Sequence, residues 1–409
     1  MLCSAKIWHS LFYGSIMKRE ILVNVDQSTW PRGAPVPPEL SVAVGMQEVN
    51  LASAFLMLGT LTMPDLLSPA SPARFWAWLR YFESIKPSSD LRISMDFAGL
   101  DPHQKGILSD DFGVALSTQW YFDRTGGFSD IVDGRRFMLQ FAHLLPPKTK
   151  AATAKVGPTK APDYVIKDRS GKWHVVECKG TQSGRAHRDK FLKDALAQKR
   201  IIQINGRLRG ERLAMGLAIS NEKSPTASEL RVVDPEADPL ISLNEQQSEE
   251  IDAAAHRIAI ARALGVVGLG EMAVELSLPV ESGATDFLRP NERLRMRSAR
   301  SDRKSFAEEQ MRERTLQKRR FHGVRFESRS VTIDDSVLNG TGPVKGIRVV
   351  QGVNRDLIEE IAGGMSDETF RDSVEAYTRD AVIKIRTTGS RTTLTYGDVL
   401  YATLDLKEK

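Results

Sequence analysis

Along this chain, apolar positions recur with two different spacings, and each spacing predicts its own kind of element. Alternating apolar and polar residues predict strands, because successive strand side chains point to opposite faces. From Met17 the segment MKREILVNVD is expected to be a strand, and residues 91–98 (LRISMDFA) alternate in the same way. Recurrence every three or four residues predicts a helix. Residues 47–61 are expected to form an apolar helix, and Ser71 opens another, with Pro72 early and Phe75, Leu79 and Phe82 along one face.

Further along, Ser109-Asp110-Asp111 has the character of a helix start, followed by the apolar FGVALSTQWYF. Residues 136–145 are expected to be a strand. The polar, lysine-containing KTKAATAKVGPTKA shows no apolar period and predicts a loop. APDYVIKD and KWHVVECKG predict two strands, residues 188–203 a helix, and residues 212–220 another strand. The central order is therefore helix, three strands, helix, strand. Residues 245–264 are acidic at first and helix-prone. The tail holds three strand-like pieces (GVRFESRSVTI, KGIRVVQGV, AVIKIRTT) and a helix over 367–378.

This pattern divides the 409 residues into three blocks, in line with the usual size of domains. Residues 1–95 form an N-terminal α+β region with no assigned role. Residues 96–236 form an α/β core, a mixed sheet flanked by helices. Residues 237–409 form a basic α+β region, a candidate for binding nucleic acid or a partner.

Composition narrows the function classes. With 41% apolar and 27% charged residues the chain is an ordinary globular protein. A net charge of +5 is compatible with a polyanionic partner. Two cysteines far apart, Cys3 and Cys178, exclude a disulfide framework and fit a reducing cytoplasm. No apolar run approaches the about 20 residues that span a bilayer, so no membrane association is expected. The first sixteen residues lack a signal-peptide core, and Met17 is a candidate initiator.

The candidate chemistry lies between Asp163 and Lys179. Asp168-Arg-Ser-Gly-Lys172 is a good hairpin connection, with Gly171 in the left-handed position. In that register paired residue numbers sum to 340, which sets Asp163 opposite Glu177 with Cβ atoms about 5 Å apart. Two like charges so close destabilise a sheet unless something compensates them, and a divalent cation does so naturally. Lys179 follows Glu177 by two residues and shares its face, while Val176 and Cys178 point into apolar packing. A metal ion and a fixed ammonium on one spot suit phosphodiester hydrolysis. The other expectation from the same residues is an exposed hairpin on which Glu177 and Lys179 form a surface ion pair.

Pro162-Asp163 and Glu177-Cys178-Lys179 resemble the PD-(D/E)xK, or restriction-endonuclease-like, nuclease superfamily, and the element order from about 105 to 220 is similar to its common core. The resemblance implies that Asp163 and Glu177 bind Mg²⁺, for which Mn²⁺ can substitute, with help from the Cys178 backbone carbonyl. Lys179 would orient the attacking water and stabilise the transition state. An additional acid from the first core helix is assigned to Asp111, with Asp110 beside it, and Gln198 stands where some branches place a glutamine. The implied activity is a DNA endonuclease of prokaryotic restriction or anti-phage defence, acting as a homodimer or with a partner protein of that system. The alternatives are a repair or recombination nuclease and a catalytically silent nucleic-acid-binding subunit.

Arg185 and Lys190 are the first candidates for phosphate contacts near the strand end, among Arg185, His187, Arg188, Lys190, Lys193, Lys199 and Arg200. Residues 289–320 hold 12 Arg or Lys against 5 Asp or Glu, so Arg293, Arg295 and Arg297 are candidates as well. His174 is expected to be structural. Trp76, Trp78 and Phe82 are expected in the core. The glycine runs at 265–270 and 340–346 match neither the dinucleotide fingerprint nor the P-loop, so no ATP or NAD site is expected.

Overall fold

The computed structural model describes residues 17–31, 35–41, 45–61, 84–86, 88–141, 144, 161–199, 201–235, 238–277, 316–334, 344–362 and 367–408. Strands β1 (Lys18–Val25) and β2 (Gly45–Asn50) lead into helix α1 (Leu51–Leu61). The middle of the chain supplies α2 (Pro102–Arg124), β3 (Phe128–Asp133), α3 (Gly134–Gln140), β4 (Tyr164–Asp168) and β5 (Trp173–Thr181). It continues through α4 (Arg185–Lys199), β6 (Ile202–Ile204), β7 (Arg209–Ala218) and β8 (Glu229–Val233). After β9 (Ile241–Leu243) come α5 (Ser248–Val267), α6 (Gly270–Leu276), β10 (Gln317–Phe321), β11 (Val324–Asp334) and β12 (Val344–Asn354). The chain closes with α7 (Arg355–Ala362), α8 (Asp367–Thr378), β13 (Ile383–Thr388), β14 (Arg391–Tyr396) and β15 (Leu400–Glu408).

The expected α/β class is observed: a mixed sheet carries helices on its faces. Its seven strands run in the order β2-β1-β8-β7-β5-β4-β3. Strands β3, β4 and β5 form an antiparallel meander, and β7 lies parallel to β5 after the crossover through α4. Strands β1 and β2, from the first sequence block, complete this sheet beside β8, so the first two blocks share it. A second, six-stranded antiparallel sheet is ordered β10-β11-β12-β15-β14-β13. Helices α1 and α5 are buried almost all round and contact elements of both sheets. Gln351 on β12 donates to Gly59 O at the end of α1, 3.0 Å away. Among the described residues no helix is long and apolar enough to cross a membrane.

Several expected elements are placed differently, each for a local reason. Helix α2 starts at Pro102, not near Ser109: the Asp101 side chain accepts from the His103 and Gln104 N–H groups, and Pro102 fits the first turn. Ser109 lies mid-helix, its hydroxyl donating back to Lys105 O at 2.6 Å. Residues 91–98 are not a strand. Leu91 and Ile93 are buried as alternation requires, but Ser94 then caps a helical turn over Met95–Ala98.

The described part of the 136–145 stretch also fails as a strand. Asp133 accepts from Arg136 N–H and starts α3, and the strand is β3, just upstream. A short buried apolar run carries no period that separates these two outcomes. Residues 45–50 pair with β1, and the helix begins only at Leu51, where Asn50 accepts from Ser53 N–H. The helix expected over 188–203 runs from Arg185 to Lys199 and is followed by β6. The glycines at 265–270 end α5, with Gly268 left-handed at its C-terminus. The basic stretch ends as strand β10, while Arg293, Arg295 and Arg297 lie outside the described residues. So do the helix expected from Ser71, Trp76, Trp78, Phe82 and the polar loop before Lys160.

Candidate active site at the β4–β5 hairpin

The hairpin has the register that its turn predicts. Asp168 N–H donates to Lys172 O, Gly171 has φ +86°, and the pairs Tyr164–Val176 and Lys167–Trp173 each sum to 340. Asp163 precedes β4 by one residue and continues this register toward Glu177. Its N–H donates to Glu177 Oε2 at 3.0 Å, and its own Oδ2 accepts from Cys178 N–H at 2.7 Å. The two carboxylates are thus fixed against each other by backbone donors. Each retains one oxygen, Asp163 Oδ1 and Glu177 Oε1, outside those backbone bonds.

Lys179 Nζ lies 2.5 Å from Glu177 Oε1. The expected ion pair therefore exists, but it is not a surface pair: the Glu177 side chain is 0% exposed and Lys179 25%. Alternation puts Glu177 and Lys179 on the face covered by α4, where Leu192 and Ala195 pack on Ala214 beside Glu177. On the other face, Val176 and Cys178 are buried. There α2 approaches β5 closely enough that a Cβ at Gly180 would lie 1.7 Å from Ser109 O, and one at Gly113 2.6 Å from Gly180 N.

Burial raises both carboxyl pKa values, Asp163 to about 6 and Glu177 to about 8, and the Asp163 charge adds to the effect on Glu177. The two share their protons as a pair. Burial works against the Lys179 ammonium, but the Asp163 and Glu177 charges outweigh it and raise its pKa. The site is a compact group of two acids and one base with one side open.

That side is a cleft of about 710 Å³ between the C-terminal ends of β5 and β7 and the start of α2. Lys179, Asp110, Lys105 and Gln182 line it, while Asp163 and Glu177 do not. Of the two neighbouring aspartates, Asp110 is the one placed here. It accepts from Gly180 N–H and feels the Lys179 charge, yet burial still raises its pKa. Asp111 is not part of the lining. Helical phase separates the two, and a pattern of adjacent acids carries no such information.

The other predicted residues have definite positions. Gln198 donates to Ala161 O at 3.2 Å, bracing the segment just before Asp163. Arg185 is 2.6 Å from Glu229, and Lys190 is exposed. Arg188 and Lys199 are not available to phosphates. Arg188 is buried against Glu229 at 2.7 Å, and Lys199 is fully buried against Asp234 at 2.5 Å. His174 has a structural placement. Its Nδ1 accepts from Glu211 N–H, which leaves Nε2–H to face Asp168, and the Tyr121 hydroxyl lies 2.7 Å from Nδ1. Sequence reading missed Gln182, Lys105 and Gly180. Only Gly180, a glycine inside a strand pattern, carried a signal of close backbone approach.

The donors present fit a hard divalent cation. Two carboxylates with raised pKa values gain most from a positive charge, and Mg²⁺ keeps several waters, so few protein ligands suffice. Among the described residues no group of three or more His, Cys, Asp or Glu is placed to hold a metal ion. Comparison with protein-family models, with curated proteins and with solved structures finds no match to this chain.

The raised pKa values predict a pH-dependent stability. Carboxyls that hold protons more tightly when folded stabilise the fold at low pH; the contribution is full below the unfolded values of 3.8 and 4.5 and is lost between these and about 6 for Asp163 and about 8 for Glu177. The metal-free melting temperature is therefore expected to fall across that interval. The stabilisation by Mg²⁺ should grow over the same interval, since metal displaces the protons. Glu177→Gln removes one charge of the pair and should flatten both dependences. Thermal melts in EDTA and in Mg²⁺ check this, and an undiminished metal shift in the variant rules out a shared ion.

Proposed function

We propose that this chain is a Mg²⁺-dependent DNA endonuclease of the PD-(D/E)xK type. One observation carries the reading: Asp163 and Glu177 face each other across the hairpin with Lys179 2.5 Å from Glu177, beside a cleft at the sheet end. The order α2-β3-β4-β5-α4-β7, with β7 parallel to β5, supports it as the restriction-endonuclease-like core. Asp163 and Glu177 would hold the ion with the Cys178 carbonyl and water, and Asp110 is better placed than Asp111 to add a carboxylate. An ion held there would supply a Lewis acid for a phosphoryl oxygen and would lower the pKa of a bound water. Lys179 supplies the fixed positive charge for the phosphate and holds the attacking water in line. Lys105 lines the cleft with further positive charge, and exposed Lys190, on α4, is the candidate for a flanking phosphate, whereas Arg185 already pairs with Glu229.

We place this activity in prokaryotic restriction or anti-phage defence, with repair or recombination as the alternative role. A second reading, a catalytically silent DNA-binding subunit, is favoured by the complete burial of Glu177 and its engagement by Lys179. Incubating the purified chain with supercoiled plasmid and Mg²⁺ or Mn²⁺ separates the two. Nicked or linear product that EDTA abolishes is the result expected of a nuclease. Intact plasmid under both metals, with retarded migration from binding, would establish the silent subunit instead.

A further inference from the structure

Among the polar side chains of the cleft that the chemistry above does not use, Gln182 is the one with buried, unpaired polar atoms. Gln182 lines the cleft three residues after Lys179, just past the end of β5. Its Oε1 and Nε2 are both buried and neither has a hydrogen-bond partner. An amide with donor and acceptor both unsatisfied is rare in a folded chain, because each missing bond opposes folding. Its neighbours are satisfied: Ser183 N–H donates to the Thr181 hydroxyl at 3.0 Å. The defect is therefore confined to the one side chain on the cleft wall.

We infer that Gln182 reads an adenine base beside the scissile phosphate. This rests on the nuclease reading of the site and adds its sequence preference. In duplex DNA, adenine is the base that presents an acceptor and a donor side by side in the major groove, N7 and N6–H. The Gln182 amide matches that pair, Nε2–H donating to N7 and Oε1 accepting from N6–H. Three residues of extended chain span at most about 10 Å, so the base read lies within a nucleotide or so of the phosphate at Lys179. The rest of the cleft suits such a guest. Ile93, Phe191 and Ile219 give it an apolar wall, and Lys105 and Lys179 give positive charge for the adjoining phosphates. At about 710 Å³ it has room for a nucleotide.

The test compares wild type with Gln182→Leu and Gln182→Glu on a pool of duplexes with a randomised centre. Two readouts are taken: sequencing of ends cleaved in Mg²⁺, and sequencing of duplexes bound in Ca²⁺. Wild type is expected to enrich adenine at one position by about tenfold or more, the scale of a bidentate base contact. Gln182→Leu should flatten that position, and Gln182→Glu, which can only accept, should move it toward cytosine, whose N4–H is a donor. If wild type cleaves without adenine preference, or Gln182→Leu keeps it, the base-reading role is overturned while the nuclease stands. If adenine is enriched among bound duplexes but nothing is cleaved, the nuclease reading falls and the base-reading role stands. Neither binding nor cleavage overturns both.

Discussion

Lys179→Ala is expected to lower Mg²⁺-dependent DNA cleavage by roughly 10²-fold or more while leaving metal binding in place. The reason lies in the division of labour at the hairpin. Lys179 contacts Glu177 at 2.5 Å and lines the cleft, so it is the cation that would join the carboxylate pair to an entering phosphate. Removing it leaves the two carboxylates and their backbone donors intact. Asp163→Asn acts at the other part of the site. The amide oxygen can still accept from Cys178 N–H, so the hairpin keeps its bond, but the charge that would attract the ion is gone. This variant should lose cleavage to a similar extent and lose the Mg²⁺-induced rise in melting temperature as well. Single-turnover cleavage and thermal melts on the same preparations separate the two effects. Wild-type rates in both variants would remove this site from the reaction.

The second large effect concerns stability. Gly180→Ala should destabilise the fold by about 3 kcal/mol, the upper part of the usual range for overpacking. A Cβ at that position would lie 1.7 Å from Ser109 O, which belongs to a helix backbone and cannot rotate away. Helix α2 would have to lift from β5 and carry Asp110 away from Gly180 N–H. Gly171→Ala is the control. It also replaces a glycine, but nothing lies within 4 Å of the new atom, and only its φ of +86° opposes the change. That conformation costs about 1–2 kcal/mol for an ordinary residue. Denaturant melts are expected to rank Gly180→Ala well below Gly171→Ala, and the reverse order would contradict the close contact of helix and strand.

Much of the site was legible from residues 163–179 by themselves. A short hairpin is governed by local rules: the turn sets the register, and the register sets which side chains oppose. Asp168 to Lys172 therefore suffices to place Asp163 opposite Glu177 and to put Lys179 on the same face as Glu177. The helix over Asp367–Thr378 and the strands β11, β12 and β13 were legible for a similar reason, since each carries its own period. Where local signals competed, the reading failed. Ser109-Asp110-Asp111 resembled a helix start, but Asp101-Pro102 had already started the helix a full two turns earlier.

What only the tertiary structure decided depends on contacts between distant segments. The burial of Glu177 comes from α4 lying over its face of the sheet, and this turns an expected surface ion pair into one whose carboxylate is buried and has a raised pKa, while Lys179 still reaches the cleft. Asp110 rather than Asp111 lines the cleft because α2 meets β5 along a line set by Gly113 and Gly180. Arg188 and Lys199 leave the list of phosphate contacts because Glu229 and Asp234, on and just beyond β8, bind them internally. The sharing of one sheet between β1–β2 and the central strands likewise arises from the pairing of β1 with β8, some two hundred residues apart. Sequence patterns record what a residue needs from its near neighbours. Burial, charge pairing and the shape of a cleft depend on which segments meet, and that is settled only when the whole chain packs.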